Sequence, residues 1–200
     1  MAGRIASLPD QCEEAWESAR SFRCPPSYAN VDSAVFLGVG GSAIGGDLVA
    51  GLAQLEDRLP VTVLRDYRVP AWLGPNTLAI ASSYSGNTEE TLSMYHQARE
   101  RKACPVVVTG GGTLLDLAKA QGVPILKVTY KGEARSAMGY SFMAPLALLC
   151  QLGLLPYGDR DVGEAIQLLR GLAKGLSPEI ATAQNLAKSI ALEMHGKLPV

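Results

Sequence analysis

Short apolar runs alternate with helical or glycine-rich pieces along much of the chain. Each run is rich in Val, Leu or Ile and is nearly continuous, which is the pattern of parallel strands covered on both faces. Five runs are predicted as strands: residues 34–38, 61–64, 78–82, 105–109 and 124–128. Joined by right-handed crossovers, they predict an α/β fold, a three-layer α/β/α sandwich around a five-stranded parallel sheet.

Helical patterns flank this alternating region on both sides. Before the first strand, apolar residues recur at helical spacing and predict an amphipathic helix laid over the domain; they are Leu8, Cys12, Ala15, Trp16 and Ala19. After Tyr157 the pattern changes to helices without strands, with apolar stripes over residues 162–172 and 186–194. For the second of these helices, Ser177 is predicted as N-cap, Pro178 as first helical residue and Gly196 as C-terminal stop.

One uncharged segment is long enough to cross a bilayer. Residues 136–158 carry no charge and are mostly apolar. Ser141, Pro145, Gln151 and Gly153 interrupt the segment, and a lone span within a chain of alternating strands and helices does not fit the pattern. The segment is therefore predicted to be a helix buried beneath the sheet or at a subunit contact, and no membrane is expected as a partner.

Two loops rich in glycine and hydroxyl residues follow the first and third predicted strands. They are residues 38–46, GVGGSAIGG, and residues 83–88, SYSGNT. Hydroxyls and free N–H groups at a helix N-terminus can hold a phosphate, although the second loop alone fits equally well an ordinary turn with Thr88 or Asn87 as N-cap. A flavodoxin-like strand order, 2-1-3-4-5, would place both loops in one crevice at the carboxyl ends of the strands.

The two loops resemble those of the sugar isomerase (SIS) domain. GGSAIGGD (residues 40–47) and SYSGNTEET (residues 83–91) look specifically like the bifunctional phosphoglucose/phosphomannose isomerases. EARSAMGY (residues 133–140) resembles the arginine segment of that subfamily, with Ala134 where a proline is expected. The resemblance runs from about Val31 to Val200.

The resemblance implies aldose–ketose isomerisation of glucose 6-phosphate, mannose 6-phosphate or both to fructose 6-phosphate. Four hydroxyl residues match the phosphate-binding positions of the family, and three glycines would allow close approach of the phosphate; these residues are Ser42, Ser83, Ser85, Thr88, Gly40, Gly41 and Gly86. Arg135 is the candidate that stabilises the charge of the enediolate. Glu89 and Glu90 are interpreted as outward-facing residues that favour the helix dipole.

The groups that transfer protons are not found in this sequence. In the family a glutamate acts as the base and a histidine from the neighbouring subunit assists ring opening, which implies a homodimer. His96, His195 and Glu193 do not match these residues, and the matching segments would lie downstream in a second SIS domain. We therefore expect an N-terminal helical segment (1–30), one SIS domain (31–156) and a helical connection (157–200). Residues 197–200 resemble the start of a strand, so we expect the chain to be a fragment of a longer protein.

Composition and charge narrow the class of partner. The 200 residues are 48% hydrophobic and 18% charged, with a net charge of −1, and acidic and basic residues are interspersed. A protein that binds nucleic acid would show a basic patch, which this pattern of charges does not provide. Nucleic acid is therefore not expected as a partner. The four cysteines are widely spaced, which predicts no metal site and no redox motif; we expect no cofactor and a cytoplasmic location. The charged N-terminus does not resemble a signal peptide.

Two other functions stay open at this stage. Residues 38–43 satisfy a loose G-x-G-x-x-A pattern after a strand, which would suit a dinucleotide, although that pattern offers no reason for the second loop. A sugar-phosphate-binding SIS module without catalysis is the other alternative. Neither the pattern nor the resemblance chooses between glucose and mannose 6-phosphate.

Overall fold

A five-stranded, all-parallel sheet forms the centre of the protein. The computed structural model describes residues 2–198, and the strand order within them is β2-β1-β3-β4-β5. The strands are Ser33–Leu37 (β1), Val61–Leu64 (β2), Thr77–Ser83 (β3), Cys104–Thr109 (β4) and Ile125–Lys127 (β5). The five predicted strands and their order are confirmed, with each boundary shifted by no more than one residue.

Helices cover both faces of this sheet. Those of the described residues are Ala2–Ala6 (α1), Leu8–Arg20 (α2), Gly41–Glu56 (α3), Glu89–Glu100 (α4), Gly112–Ala120 (α5), Met138–Gln151 (α6), Asp159–Gly175 (α7) and Leu186–Met194 (α8). Phe36 and Ile80 of the sheet pack with α2, α3, α6 and α7, whereas Val35 and Leu37 pack with α4 and α5. The fold is the predicted three-layer α/β/α sandwich.

The crevice for a ligand follows from the direction of the crossovers. Helix α3 leaves β1 toward one face, and α4 leaves β3 toward the other. Because β1 and β3 are paired neighbours, their connections diverge at the carboxyl ends of the two strands. Ligands of open parallel sheets bind at such a point.

The predicted amphipathic helix and the uncharged segment pack against each other. Helix α2 buries Cys12, Ala15, Trp16 and Ala19, and α6 is buried along most of its length. The uncharged segment therefore forms a core helix beneath the sheet. Among residues 2–198, no helix is both long and apolar enough to span a bilayer.

The predicted start of the last helix is wrong. Helix α8 begins at Leu186, and Asn185, not Ser177, is its N-cap. The Asn185 side chain accepts the Lys188 N–H at 3.1 Å and donates to the Ser177 carbonyl oxygen at 2.9 Å. The buried amide of Asn185 thus bonds both the first turn of α8 and the segment before it. The helix therefore starts later than Ser177 and Pro178 indicate.

The C-terminal stop is placed as expected. Helix α8 ends at Met194, and Gly196 adopts φ +74°, the left-handed conformation that glycine favours after a helix. The strand suggested for residues 197–200 falls partly on Pro199 and Val200, which lie outside the described residues. On α8 the apolar side chains of Leu186, Ile190 and Met194 are exposed.

Candidate phosphate-binding site

The loop that joins β3 to α4 is folded around the hydroxyl of Ser83. The Ser83 Oγ lies 2.8 Å from the Thr88 Oγ1 and accepts the Gly86 N–H at 3.1 Å. Ser83 is buried and Thr88 is half-buried. One hydroxyl proton is used between the two side chains, so the pair keeps a second proton that it can donate to a ligand.

Helix α4 begins directly after this loop, with Thr88 as its N-cap. The Thr88 side chain makes no capping hydrogen bond, and the first N–H groups of a helix have no partner within the helix. Beside them, the exposed Ser85 Oγ accepts the Asn87 N–H at 3.2 Å and keeps its own proton free to donate. The start of α4 therefore offers backbone donors, a hydroxyl and the positive end of the helix dipole to an anion.

One of the two carboxylates in the first turn of α4, Glu89, contacts Tyr67. Glu89 is exposed, and its Oε2 accepts the Tyr67 hydroxyl at 3.4 Å. The pKa of Tyr67 is raised, first by the negative charge of Glu90 and then by partial loss of hydration and the charge of Glu89. The exposed position of Glu89 agrees with its interpretation as an outward-facing residue, whereas Glu90 is half-buried.

The first Gly/Ser loop is shorter than the sequence suggested. Helix α3 begins at Gly41, so the residues from Ser42 to Gly46 form its first turns and only residues 38–40 are loop. Gly40 is the N-cap, with φ +56°, and its carbonyl oxygen accepts the Ile44 N–H at 3.2 Å. The expectation that this stretch is a loop is therefore corrected, because a single glycine completes the turn into the helix.

The two loops are in direct contact. The half-buried Ser42 Oγ accepts the Tyr84 N–H at 3.2 Å. The Ser42 hydroxyl keeps its own proton to donate to a ligand. Strand order thus brings Ser42 and residues 83–88 side by side, as the sequence predicted.

Arg135 lies beside the first loop through its backbone. Residues Ala134–Ser136 form a 3-10 turn, and a Cβ placed on Gly41 would lie 3.1 Å from the Ala134 carbonyl oxygen and 3.2 Å from the Arg135 Cα. The Arg135 side chain is exposed and borders a cavity of about 260 Å³ together with Arg4 and Leu8. The structure therefore places the arginine at the edge of the crevice, next to the N-terminal helices.

Two of the predicted phosphate-site glycines face protein backbone. Gly41 lies against the turn that carries Arg135, and Gly86, with φ +71°, lies against the loop after β4. A Cβ on Gly86 would be 1.7 Å from the Gly111 carbonyl oxygen. At both positions the glycine lets a neighbouring segment of the chain approach closely, and the approaching group is not a ligand.

The loop after β4 also supports the candidate site, and the sequence reasoning missed it. The Asn87 Oδ1 accepts both the N–H and the hydroxyl of Thr113, each at 3.0 Å, and the Leu114 N–H donates to the Gly86 carbonyl oxygen at 2.9 Å. The run of three glycines before Thr113 follows a strand and was a signal for this contact. These bonds hold residues 86–87 against the start of α5.

A cavity of about 440 Å³ opens on the β5 side of this loop. Ser85 and Tyr84 form one wall, and Lys127 and Lys131 contribute positive charge on the other side. Space for a ligand is thus present beside Ser85.

Several acidic and imidazole groups of the described residues form ion pairs or lie on the surface. Asp47 pairs with Arg65, and Glu133 pairs with Arg4. His96, His195 and Glu193 are exposed. Within residues 2–198, no group of three or more His, Cys, Asp or Glu side chains is arranged to hold a metal ion.

The four cysteines are free thiols. Burial raises the pKa of Cys12 and Cys150 to about 11, and burial together with the nearby Cys104 does the same for Cys24. These thiols are therefore protonated near neutral pH, unlike reactive cysteines.

Comparison with curated proteins finds relatives along nearly the whole chain. A bifunctional phosphoglucose/phosphomannose isomerase from Caldicellulosiruptor bescii is 38% identical over 196 residues, which cover 98% of this chain and 58% of that protein. The Aquifex aeolicus protein of the same name is 32% identical over 167 residues, covering 83% and 48%. A D-glucosamine-6-phosphate 4-epimerase from Sulfolobus acidocaldarius is 27% identical over 197 residues, covering 98% and 59%. The chain spans less than two thirds of the length of these relatives.

Solved structures share the fold. Tagatose-6-phosphate ketose/aldose isomerase from Escherichia coli superposes with a TM-score of 0.61 at 15% identity, covering 96% of this chain and 53% of that chain. The C-terminal domain of glucosamine-fructose-6-phosphate aminotransferase from Francisella tularensis gives 0.66 at 13% identity, covering 86% and 54%. No protein-family model matches the chain. The chain thus shares the fold of these sugar-phosphate proteins, and 98% of its length is similar in sequence to a bifunctional phosphoglucose/phosphomannose isomerase.

Proposed function

We propose that this chain is the sugar-phosphate-binding part of an aldose–ketose isomerase. The substrates are glucose 6-phosphate, mannose 6-phosphate or both, and the product is fructose 6-phosphate. One observation carries the proposal: uncapped N–H groups begin α4 directly after the loop that holds the hydroxyls of Ser85 and of the Ser83–Thr88 pair, and Ser42 contacts that loop through the Tyr84 N–H. Such an array suits a phosphate dianion. The names of the relatives support the substrate class.

The residues divide into two roles. Ser42, Ser83, Ser85 and Thr88 hold the phosphate, and the glycines of both loops shape the backbone around it. Arg135 approaches the sugar from the edge of the first loop and stabilises the negative charge that develops as the enediolate forms. Its exposed side chain borders the N-terminal helices, so this role requires the side chain to turn into the crevice.

Removal of a phosphate-binding hydroxyl should weaken ligand binding. For Ser85→Ala and Thr88→Ala we expect the affinity for fructose 6-phosphate to fall by roughly 1.5–3 kcal/mol each, because each loses a hydrogen bond to a charged group. Isothermal titration calorimetry measures this change. Ser21→Ala is the control, since Ser21 is an exposed serine on the end of α2 that donates to the Ser18 carbonyl oxygen.

The control should bind like the unmodified chain. Wild-type affinity in both loop variants would show that the phosphate lies elsewhere. Calorimetric titration with NAD tests the dinucleotide alternative. The strand order 2-1-3-4-5 already differs from the usual order of dinucleotide-binding sheets.

The chain Met1–Val200 should bind sugar phosphate without isomerase turnover. The carboxylates of Asp47 and Glu133 are held in ion pairs, and Glu193 is exposed on α8 away from the two loops. General acid–base catalysis contributes about 10²–10⁴-fold, and these three carboxylates, being paired or exposed, are not placed to supply it. A coupled assay for glucose 6-phosphate formation measures turnover, with the Caldicellulosiruptor bescii relative as positive control. Turnover equal to that of the control would mean that the base lies among these residues.

A non-catalytic binding module is the second candidate function. The engagement of the nearby carboxylates favours it, because the phosphate loops would then serve binding alone. The similarity to a 4-epimerase shows that relatives of this sequence carry names for more than one sugar-phosphate reaction. Isomerase activity of the complete protein would exclude the non-catalytic module.

Assembly, location and domain division form part of the same proposal. We expect a cytoplasmic homodimer, and the exposed apolar side chains of α8 are compatible with a contact surface. Residues 1–30 would act as a helical segment laid on the SIS domain of residues 31–156, with residues 157–200 connecting onward. No nucleic acid is expected to bind.

A further inference from the structure

Tyr84 connects three loops through its backbone. It lies between Ser83 and Ser85 at the end of β3 and is half-buried. Its N–H donates to the Ser42 Oγ at 3.2 Å, and its carbonyl oxygen accepts the Gly110 N–H at 3.1 Å. The main chain of this one residue therefore ties together the connections that follow β1, β3 and β4.

The phenol of Tyr84 reaches a fourth segment, the residues that follow β5. Its hydroxyl donates to the Tyr130 carbonyl oxygen at 2.9 Å and accepts the Gly132 N–H at 3.1 Å. In the described part of the chain, residues 129–132 make no backbone-to-backbone hydrogen bond. The Tyr84 hydroxyl thus supplies bonds that secondary structure does not supply there. We call this pair of hydrogen bonds the Tyr84 latch.

The latched segment leads directly into the turn that carries Arg135. Residues Ala134–Ser136 rest against Gly41, and Glu133 pairs with Arg4 of α1. The turn of Arg135 is therefore held by the first loop, by the Glu133–Arg4 ion pair and, through residues 130–132, by the latch. Loss of the latch would free the entry to the turn while leaving the phosphate loop, residues 83–88, with its own hydrogen bonds.

We propose that Tyr84 is a positioning residue that sets where Arg135 stands relative to the phosphate. Its ring and backbone belong to the phosphate loop, and its hydroxyl fixes the arginine segment to that loop. The inference rests on the proposed function, in which Arg135 acts on the sugar. The Tyr84 hydroxyl is engaged with the backbone of Tyr130 and Gly132, and it acts by keeping the two halves of the site at a constant distance.

Tyr84→Phe tests the latch because it removes the hydroxyl and keeps the ring. We expect the Gly132 amide to exchange its hydrogen about tenfold faster, since its acceptor is lost. The affinity for fructose 6-phosphate should fall about tenfold, whereas the affinity for inorganic phosphate should stay unchanged. Arg135→Ala should show the same selective loss, and the double variant should lose nothing further, because both changes remove one coupled contribution.

Tyr157→Phe is the matched control. Tyr157 is also half-buried, and its hydroxyl donates to the Glu56 Oε1 at 2.9 Å, away from both loops. This variant should leave Gly132 exchange and both affinities unchanged. A general structural role for Tyr84 would weaken phosphate and sugar phosphate equally, and that result would overturn the proposal.

Two further results would also overturn it. One is unchanged Gly132 exchange in Tyr84→Phe, and the other is additive losses in the double variant. If the unmodified chain bound phosphate but not fructose 6-phosphate, the proposed function would fail, and Gly132 exchange alone would then decide whether the latch exists.

Discussion

Replacement of Gly86 by alanine is expected to abolish measurable binding of fructose 6-phosphate and to destabilise the fold. Gly86 has φ +71°, and an added Cβ would lie 1.7 Å from the Gly111 carbonyl oxygen and 2.7 Å from its carbon. The left-handed conformation costs an alanine roughly 1–2 kcal/mol, and overpacking adds about 1–3 kcal/mol. Because the neighbour is backbone, the phosphate loop itself must move.

The movement would reach the ligand groups directly. Gly86 donates to Ser83 and accepts from Leu114, so a shift there displaces Ser85 and Thr88 from the start of α4. A misplacement of about 1 Å at a binding site can cost two orders of magnitude in function. Calorimetry on the variant measures the binding, and urea unfolding measures the stability.

Gly122→Ala is the control that separates the cost of the left-handed backbone conformation from the cost of the steric clash. Gly122 has a similar conformation, φ +62°, and has no atom within 4 Å of the position of an added Cβ. The control should lose stability by roughly 1–2 kcal/mol and keep its affinity. Gly86→Ala with unchanged affinity would contradict the placement of the phosphate in this loop.

A second large effect is expected in the helix that follows the first loop. Gly45→Ala should destabilise the protein by about 3 kcal/mol or more, the upper end of what overpacking costs. A Cβ at Gly45 would lie 2.0 Å from the Ser141 carbonyl oxygen and 2.3 Å from its carbon, where α3 crosses α6. Helix α6 is buried against α2 and the sheet, so it cannot retreat without losing that packing.

The same helix contains the control. Gly51 lies on α3, is exposed, and has no atom within 4 Å of an added Cβ. Gly51→Ala should stabilise the protein by about 0.5–1 kcal/mol, because alanine favours a helix interior over glycine. Urea unfolding monitored by circular dichroism measures both variants. Equal unfolding midpoints for Gly45→Ala and Gly51→Ala would rule out the proposed clash.

The glycines of the first motif therefore have a role in packing. Gly45 lets α6 approach α3, and a Cβ on Gly46 would lie 2.7 Å from the Phe36 ring. The 3-10 turn of Arg135 comes just before α6, so the close crossing of α3 and α6 also brings that turn toward Ser42. The motif that resembles a ligand loop is mainly the start of a tightly packed helix.

One local sequence signal, the predicted start of the last helix, failed because a residue eight positions later competed with it. Ser177 and Pro178 form a sound helix-start signal, yet the buried side chain of Asn185 bonds to Lys188 and to the Ser177 carbonyl, so the helix starts there instead. Both alternatives are locally reasonable. The choice between them depends on the burial of one amide, which no local pattern reveals.

The sequence by itself determined the five strands, their parallel order and the position of residues 83–88 before α4, because buried strands are read directly from continuous apolar runs and loops from glycine and hydroxyl residues. Only the tertiary structure decided what holds the candidate site together. The Tyr84 latch, the contact of Gly86 with Gly111 and the crossing at Gly45 join segments far apart in the chain. Such contacts depend on backbone approach and hydrogen-bond geometry in space, which the order of residues along the chain does not contain.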